Sequence, residues 1–516
     1  MKKSLISVFL VFVMLFSLTA CSGASGDWFN EEQNGGMVGD MFLEDALGVP
    51  TIPGSNGEIF ADDISEEDLG KFIENKFIKT SDENVSTFSA DVDTASYSYF
   101  RSLVQNGYSL SELKATAGKI IRTEEMINYF DYGYSQPSEN ELFSTSMQIA
   151  PCPWNEDASL LVLGLQAKEL EYAQKNNLVF LIDVSGSMNS SDKLGLLKNA
   201  FSYLIENLGE DDVISIVTYS GKEEVVLDGC QGTKKSEIMQ AVNYLRASGS
   251  TNGEAGLKKA YQLAEKHFIK GGNNRIIMAS DGDLNVGISS VSALESFISE
   301  KRESGVFLSV LGFGSGNYQD AKMEKIADCG NGVYYYIDSE REAEKVFGTD
   351  LFSTLYTIAK DVKLQFNFSP SIIDAYRLVG YENRLLDNED FENDRKDAGD
   401  LGAGHSVTVC YELILKPEAV GAQHEWMTLS VRYKEPDKDV SQEQRYDFGA
   451  ASYTETPDDN FKFICSLIET SMLIRQSEYI GSTTLNDIRS DLVSIRTNDE
   501  YKDEFVSLID RLINNK

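Results

Sequence analysis

The stretch Asn177 to Ser190, NLVFLIDVSGSMNS, decides the fold and contains the candidate functional residues. Five apolar residues precede Asp183, and two serines at alternate positions follow it. A short apolar run that ends in small polar residues is typical of a strand buried on both faces of a sheet. The stretch therefore predicts a central strand, and it leaves open whether the DVSGS after it is a polar turn, with Asp183 capping the next helix, or a binding site.

The pattern around this stretch is a regular alternation of strands and amphipathic helices, from about residue 176 to about 350. Strands are predicted at 178–183, 213–219, 275–280, 306–313 and 332–337. A helix from Lys193 has one apolar stripe, formed by Leu194, Leu197, Phe201, Leu204 and Leu208. Near-continuous apolar strands separated by such helices predict a doubly wound α/β domain with a mostly parallel sheet.

Ligands of an open α/β sheet bind beyond the carboxyl ends of its strands, and oxygen-bearing side chains collect there in this sequence. They are Asp183, Ser185 and Ser187 after the first strand, Thr251 in SGSTNG, and Asp281 and Asp283 in DGDLN. Hydroxyl and carboxylate oxygens suit a hard divalent cation, Mg²⁺ first, and Mn²⁺ or Ca²⁺ accept the same ligands. Catalytic zinc prefers His and Cys ligands, and the chain has only three His.

These residues resemble the metal-ion-dependent adhesion site of von Willebrand factor type A (VWA) domains. The resemblance implies that Ser185, Ser187 and Thr251 bind the metal through their hydroxyls. It also implies that Asp183 and Asp281 bind it directly or through water. An open coordination position would then accept an Asp or Glu carboxylate of a protein partner.

The flanking segments narrow the resemblance to YfbK-type VWA lipoproteins of bacteria. The segments that carry it are STFSADVDTASY (86–97), EEMINYF (124–130), YENRLLDNEDF (381–391) and AGDLGAGHSVTVCYEL (398–413). The predicted domain order is a signal peptide (1–20), an acidic flexible tether (21–83), a VWA-associated N-terminal domain (84–175), the VWA domain (176–350) and a family-specific C-terminal α+β domain (351–516).

The N-terminus carries a targeting pattern. Lys2 and Lys3 precede the uncharged apolar run 5–20, and Leu18-Thr19-Ala20-Cys21 resembles a bacterial lipobox. The resemblance implies that Cys21 is acylated with chains such as palmitate and anchors the protein to the extracytoplasmic side of a cell membrane. An ordinary signal peptide or a short signal anchor is the alternative.

Charge and cysteine usage limit the partners. The chain has 82 acidic and 46 basic residues, a net charge of −36, which argues against nucleic acid and against electrostatic attachment to anionic lipid. The cysteines after Cys21 are scattered without a CxxC pair, so neither zinc nor a dense disulfide framework is predicted, and most are expected to be buried apolar residues.

The favoured function is binding of a protein partner through the cation. An envelope scaffold with a structural metal is the second hypothesis, and a solute-binding lipoprotein, which requires a second α/β lobe, is the third. We do not expect an enzyme, since Ser185 has no histidine near it in sequence and no G-x-S-x-G context. Asp91 and Asp93 are considered as a second cation site, but Asp93 is predicted instead to be the N-cap of the helix after it.

Overall fold

The computed structural model describes residues 73–516, except 170–174, 251–252, 283–290, 315–319, 352–355, 418, 420–423, 437, 439, 498 and 516. The strands in the described residues are β1 (Ile78–Lys79), β2 (Val85–Ser89), β3 (Phe143–Pro151), β4 (Ser159–Ala167), β5 (Asn176–Asp183), β6 (Val213–Tyr219), β7 (Glu223–Gln231), β8 (Asn273–Ser280), β9 (Phe307–Phe313), β10 (Tyr334–Ile337), β11 (Thr357–Phe368), β12 (Ile373–Val379), β13 (Gly399–Gly402), β14 (Ser406–Leu415), β15 (Glu425–Lys434) and β16 (Gln442–Gly449).

The α-helices of the same part of the chain are α1 (Ala95–Gln105), α2 (Leu110–Thr116), α3 (Thr123–Asn128), α4 (Leu196–Asn207), α5 (Lys235–Tyr244), α6 (Gly253–Lys266), α7 (Val291–Arg302), α8 (Asp320–Cys329), α9 (Glu340–Lys345), α10 (Asp459–Arg475), α11 (Leu485–Val493) and α12 (Glu500–Asn514). No helix among the described residues has enough consecutive apolar residues to cross a lipid bilayer.

The central sheet has the strand order β10-β9-β8-β5-β6-β7, and all its pairings are parallel except that of β7 with β6. Every residue of β5 is buried, because β6 and β8 flank it and helices cover both faces. One face packs on α4 and α9, and the other on α6, α7 and α8. The predicted doubly wound α/β fold is confirmed.

Two antiparallel sheets pack face to face beside the central sheet, and both combine strands from before and after it. One has the order β1-β12-β14-β4-β3, and the other has the order β13-β11-β15-β16 with β2 also paired to β11. Alternate residues of β4, β14, β11 and β15 form their shared core. The flanking regions are thus one sandwich, and the described residues contain no second α/β lobe of the kind that a solute-binding lipoprotein requires.

A helical layer covers the outer face of the β4-containing sheet. Helices α1, α2, α3, α10, α11 and α12 share one core with Leu160, Val162 and Cys410 of that sheet. Because β4 has an apolar core on each face, all nine of its residues are buried. The cysteines 152, 230, 329, 410 and 465 are all free thiols, and only Cys329 is partly exposed.

Residues 73–83 belong to the predicted flexible tether, and this part of the prediction is wrong, because they pack on the sandwich. β1 pairs with β12, Asn75 donates side-chain hydrogen bonds to the Leu378 and Gly380 carbonyls, and Thr80 donates to the Ile373 carbonyl at 2.6 Å. These contacts satisfy the polar backbone of an edge that would otherwise be open. The remainder of the predicted tether lies outside the described residues.

The sandwich helices contact the central domain through a buried arginine. Arg101 of α1 pairs with Asp338, with Glu342 of α9 at 2.7 Å and with Glu504 of α12 at 3.2 Å. It also donates to the Tyr129 hydroxyl at 2.8 Å, and its side chain is fully buried. Elements from three parts of the chain therefore meet at one guanidinium.

Candidate metal centre

The two candidate carboxylates lie at the carboxyl edge of the central sheet, on neighbouring parallel strands. β5 ends at Asp183 and β8 ends at Ser280, one residue before Asp281. The register pairs Ile182 with Ala279, so the two strands end level with each other. Both aspartates therefore emerge at the edge where open α/β sheets bind ligands.

The loop after β5 is folded by its own small side chains. The Ser185 amide donates a hydrogen bond to Asp183 Oδ1 at 2.7 Å, and the Ser185 and Ser187 hydroxyl oxygens lie 2.9 Å apart. Such a turn uses an aspartate oxygen to bind the backbone two residues later. The turn thus brings together three of the five predicted ligands.

The chain that leads to the predicted ligand Thr251 is bound to the same turn. The Gly186 amide donates to the Gly249 carbonyl at 3.0 Å, and the Ser248 amide donates to the Val184 carbonyl at 2.7 Å. Residues 248 and 249 therefore lie against the DVSGS turn. Thr251 itself is outside the described residues, so its role stays a prediction.

Asp183 has one oxygen atom that no described residue binds at ordinary hydrogen-bond distance. Its Oδ2 is buried and makes no hydrogen bond of ordinary length within the described residues, although the Tyr219 hydroxyl lies close enough to this carboxyl to lower its pKa. Burial raises the pKa of this carboxyl to about 6, the hydrogen bond from the Ser185 amide opposes the rise, and the charge of Asp281 adds to it. An unsatisfied buried carboxylate is costly, and a cation at this position would remove the cost.

Lys193 is a residue of this site that sequence reasoning missed. Its ammonium lies 2.9 Å from Asp281 Oδ2 and 3.0 Å from the Ser187 carbonyl oxygen. The sequence shows only a lysine at the start of an amphipathic helix, and a lysine there is normally a solvent-exposed residue. No signal in the local sequence indicates that the turn before α4 brings it back over the loop.

The donor set fits a hard divalent cation. The Ser185 and Ser187 hydroxyls and two carboxylates lie at one edge of the central sheet. Among the described residues Asp183 Oδ2 makes no hydrogen bond of ordinary length, and it could bind a positive charge. No group of three His, Cys, Asp or Glu side chains suited to a metal occurs in the described part of the chain. Oxygen ligands that are partly neutral hydroxyls are compatible with Mg²⁺, Mn²⁺ or Ca²⁺.

Comparisons with known families divide the chain into three matched regions. The family described as von Willebrand factor type A domain matches residues 177–349. The family described as uncharacterized protein YfbK, C-terminal, matches 353–514, and one described as von Willebrand factor matches 63–162. VWA domains typically mediate interactions between proteins and often bind a divalent metal.

A curated relative covers nearly all of this architecture. The uncharacterized protein YfbK of Escherichia coli K12 is 38% identical over 467 residues, which are 85% of this chain and 80% of that protein. The chain belongs to the YfbK family. The suspected resemblance is thereby confirmed as far as the family and its VWA domain are concerned.

This YfbK-family protein also has more distant similarities. The human inter-alpha-trypsin inhibitor heavy chain H3 is 26% identical over 264 residues, which are 46% of this chain and 28% of that protein. Among solved structures, the von Willebrand factor type A protein from Catenulispora acidiphila is similar with 15% identity and a TM-score of 0.43. The similarity covers 74% of this chain and 91% of the Catenulispora acidiphila chain.

The second cation site considered in the sequence is occupied by an arginine. Arg384 pairs with Asp91 at 3.0 Å and with Asp93 at 3.2 Å, and it also contacts Asp328. The prediction that Asp93 is the N-cap of α1 is wrong, because Thr94 stands at that position without a side-chain hydrogen bond. Asp93 Oδ1 accepts the Tyr334 amide instead, at 3.0 Å.

Two further predicted residues cannot be placed. Cys21, the predicted acylated residue, and Asp283, a third carboxylate of the DGDLN segment, lie outside the described residues. Lipid attachment at Cys21 therefore stays a prediction.

Proposed function

We propose that this YfbK-family protein is a lipid-anchored extracytoplasmic protein that binds a protein partner through Mg²⁺ at the edge of its VWA domain. Asp183, Ser185, Ser187 and Asp281 would hold the ion, with Thr251 as the fifth ligand predicted from the resemblance. The ion would supply an electrophilic coordination position. An Asp or Glu carboxylate of the partner would complete the coordination.

The observation that supports the proposal best is the buried Asp183 Oδ2, which makes no hydrogen bond of ordinary length within the described residues, beside two converging hydroxyls. The strongly acidic chain repels an acidic partner surface, and only a local positive charge allows a carboxylate to dock. A metal bound by two Asp and neutral hydroxyls has enough charge left to do this. VWA domains commonly mediate protein–protein interactions, which supports the choice of a protein partner.

The first experiment is a thermal-shift titration of the full-length protein with Mg²⁺, Mn²⁺ and Ca²⁺. An ion at 100 times its dissociation constant stabilises the folded state by about 2.7 kcal/mol. We expect the wild type to shift and Asp183→Ala and Ser185→Ala not to shift. Asp228→Ala is the matched control, because Asp228 is an exposed aspartate paired with Lys266 and His267 and makes no contact with the site.

The partner is sought by capture from an envelope extract with immobilised protein, in Mg²⁺ and in EDTA. We expect a protein that is retained only in Mg²⁺ and lost with Asp183→Ala. Retention that is equal in Mg²⁺ and in EDTA would contradict binding through the metal. If none of the three ions raises the melting temperature of the wild type, the metal centre itself is contradicted.

An envelope scaffold with a structural metal is the second candidate. It is favoured by the flanking sandwich, whose two sheets combine strands from both sides of the VWA domain. In that case Asp183→Ala should abolish the metal-dependent rise in melting temperature, and partner retention should not change. The same two measurements therefore separate the two functions.

We also propose that the protein is not an enzyme. Ser185 and Ser187 hydrogen-bond each other, and neither contacts a histidine in the described part of the chain. A serine nucleophile requires an adjacent base. Hydrolysis of a panel of ester and phosphoester substrates by the Mg²⁺-loaded protein, abolished by Ser185→Ala, would overturn this proposal.

The lipid anchor has its own test. Cys21→Ser is expected to remove the acyl mass from the N-terminal peptide and to release the protein from the membrane fraction. A protein that stays in the membrane fraction after this change would favour the signal-anchor alternative.

A further inference from the structure

Lys193 is bound to two groups of the candidate metal centre at once. Its Nζ donates to Asp281 Oδ2 at 2.9 Å and to the Ser187 carbonyl at 3.0 Å. The side chain is 16% exposed, so most of its length is removed from solvent. An ammonium held by a buried carboxylate and a carbonyl is fixed more firmly than an ammonium in a surface ion pair.

The aliphatic part of this side chain lies in a space that the fold provides. It passes over Gly314, directly after β9, where an added Cβ would lie 2.7 Å from Lys193 Cγ. Gly314 has φ +85°, a conformation that favours glycine, and its carbonyl accepts the Tyr336 hydroxyl at 2.8 Å. A side chain at position 314 would exclude the lysine, so this backbone position is matched to it.

The charges at the edge of the sheet explain what this lysine does. Asp183 and Asp281 place two carboxylates together in a chain of net charge −36, and Lys193 provides a positive charge at one of them. A divalent cation bound to the same carboxylate would lie within a few ångströms of the ammonium. Like charges at that separation repel strongly in a partly buried site.

We propose that Lys193 is the built-in counter-ion of Asp281 and that a divalent cation must displace it to bind. This inference rests on the proposed metal centre and adds the residue that sets its affinity. Without metal, the ammonium stabilises the loop edge by pairing with Asp281. With metal, Asp281 turns from the ammonium to the ion, and the protein binds the cation only where its concentration is high enough to overcome the competition.

The test measures metal affinity directly, with Mn²⁺ as the probe. The electron paramagnetic resonance signal of free Mn²⁺ gives the dissociation constant of the full-length protein without any assay of partner binding. Lys193→Met retains the aliphatic packing on Gly314 and removes the charge. We expect its dissociation constant to be at least about tenfold lower than that of the wild type.

Two variants serve as controls. Lys198→Met removes a half-buried lysine of α4 that binds the Leu245 carbonyl at 2.7 Å and pairs with no carboxylate in the described part of the chain, so it should leave the affinity for Mn²⁺ unchanged. Lys193→Arg keeps the positive charge and should keep the affinity close to that of the wild type. In metal-free buffer, Lys193→Met should melt at a lower temperature than the wild type, because Asp281 loses its counter-ion.

The outcomes distinguish this inference from the proposed function. If the wild type and Lys193→Met bind Mn²⁺ equally, or if Lys193→Met binds more weakly, the metal centre stands and the competition by Lys193 is wrong. If the wild type, Lys193→Met and Lys193→Arg all fail to bind Mn²⁺, the proposed metal centre is wrong, and this inference is wrong with it. Binding by Lys193→Met alone would be the strongest support.

Discussion

Asp183 and Asp93 are two buried aspartates that follow strands, yet within the described residues only Asp93 is paired with a cation of the protein. Arg384 pairs with Asp93 at 3.2 Å, whereas Asp183 Oδ2 makes no hydrogen bond of ordinary length in the described residues. Their local sequences do not separate them, because Arg384 lies 291 residues after Asp93. The candidate site could be predicted because its residues lie in three loops of one pattern. The role of Asp93 was predicted wrongly, because nothing near it in sequence indicates that Arg384 pairs with it.

Lys193 illustrates the same limit. Asp183, Ser185, Ser187 and Asp281 follow strands that end at one edge of a parallel sheet, so their convergence there could be predicted, and their roles as ligands are implied by the resemblance to VWA domains. The position of the ammonium depends on a turn at residues 191–195 and on the absence of a side chain at Gly314. Neither feature has a periodicity that a sequence reader can use.

Glu124 should make stability depend on pH. It is fully buried at the start of α3, and its burial, followed by the charges of Glu382 and Asp91, raises its pKa to about 8 from 4.5. Its stabilising contribution is fully present below pH 4.5 and is lost as the pH rises through 8. The side chain in Glu124→Gln does not titrate. Between pH 4.5 and pH 8.5, we expect the free energy of unfolding of the wild type to fall by about 3–5 kcal/mol more than that of Glu124→Gln.

Urea unfolding in EDTA at pH 4.5 and at pH 8.5 measures this difference. Glu139→Gln is the control, because Glu139 is exposed and should follow the wild type. Equal pH dependence in Glu124→Gln and the wild type would show that the buried carboxyl does not titrate as described.

Helix α9 and the residues just before it contact the helical layer through Arg101. Arg101 of α1 neutralises Asp338 and Glu342, and both carboxylates are almost completely buried. Removing one partner of a buried ion pair leaves an uncompensated charge, which costs about 3–5 kcal/mol. We expect Arg101→Met to destabilise the protein by about that amount.

The triple variant Arg101→Met, Asp338→Asn, Glu342→Gln separates charge from packing. It removes the two almost completely buried carboxylates together with the arginine and leaves only the partly exposed Glu504 without its arginine. We therefore expect it to recover at least half of the lost stability in chemical unfolding. Lys258→Ala breaks an exposed pair with Glu254 one helical turn away and should cost less than about 0.5 kcal/mol. If the triple variant is as unstable as Arg101→Met, the ion pairs are not the cause.

Most elements of the central domain could be predicted, and the exceptions have physical reasons. The predicted strand 213–219 matches β6, whereas β7 was missed. β7 lies at an edge of the sheet and pairs in the antiparallel sense, so most of its residues are partly or fully exposed and the apolar signal is weak. Helix α4 begins at Leu196 rather than at Lys193, because a π-helical turn precedes it.

At the scale of the molecule, the described residues form a central domain whose sheet is built from residues 176–337 and a sandwich that is built from both flanks. Lys168 and Tyr356, the sandwich residues nearest to the two connections, lie close together. The Lys168 carbonyl accepts the Gly404 amide at 3.0 Å, and the Tyr356 carbonyl accepts the adjacent Ala403 amide at 2.8 Å. The chain therefore leaves the sandwich before the central domain and returns to it afterwards at neighbouring points.

This arrangement predicts that the sandwich folds without the central domain. A chain that joins residues 73–169 to 356–516 through a short Gly-Ser linker is expected to give a cooperative unfolding transition and a dispersed amide spectrum. Residues 356–516 alone are expected to remain unfolded, because β14 would lose β4 and β11 would lose β2. A folded 356–516 fragment, or an unfolded linked chain, would contradict this division.

The long-range pairing of β4 also governs how the chain is made. Gln166, at the end of β4, donates a hydrogen bond to the Gly404 carbonyl 238 residues later. During synthesis this apolar strand is complete long before β14 exists, and for that interval it is an unprotected aggregation-prone segment. The central domain, whose strands are all close in sequence, can fold during the delay, and its compact form then brings the two halves of the sandwich within reach.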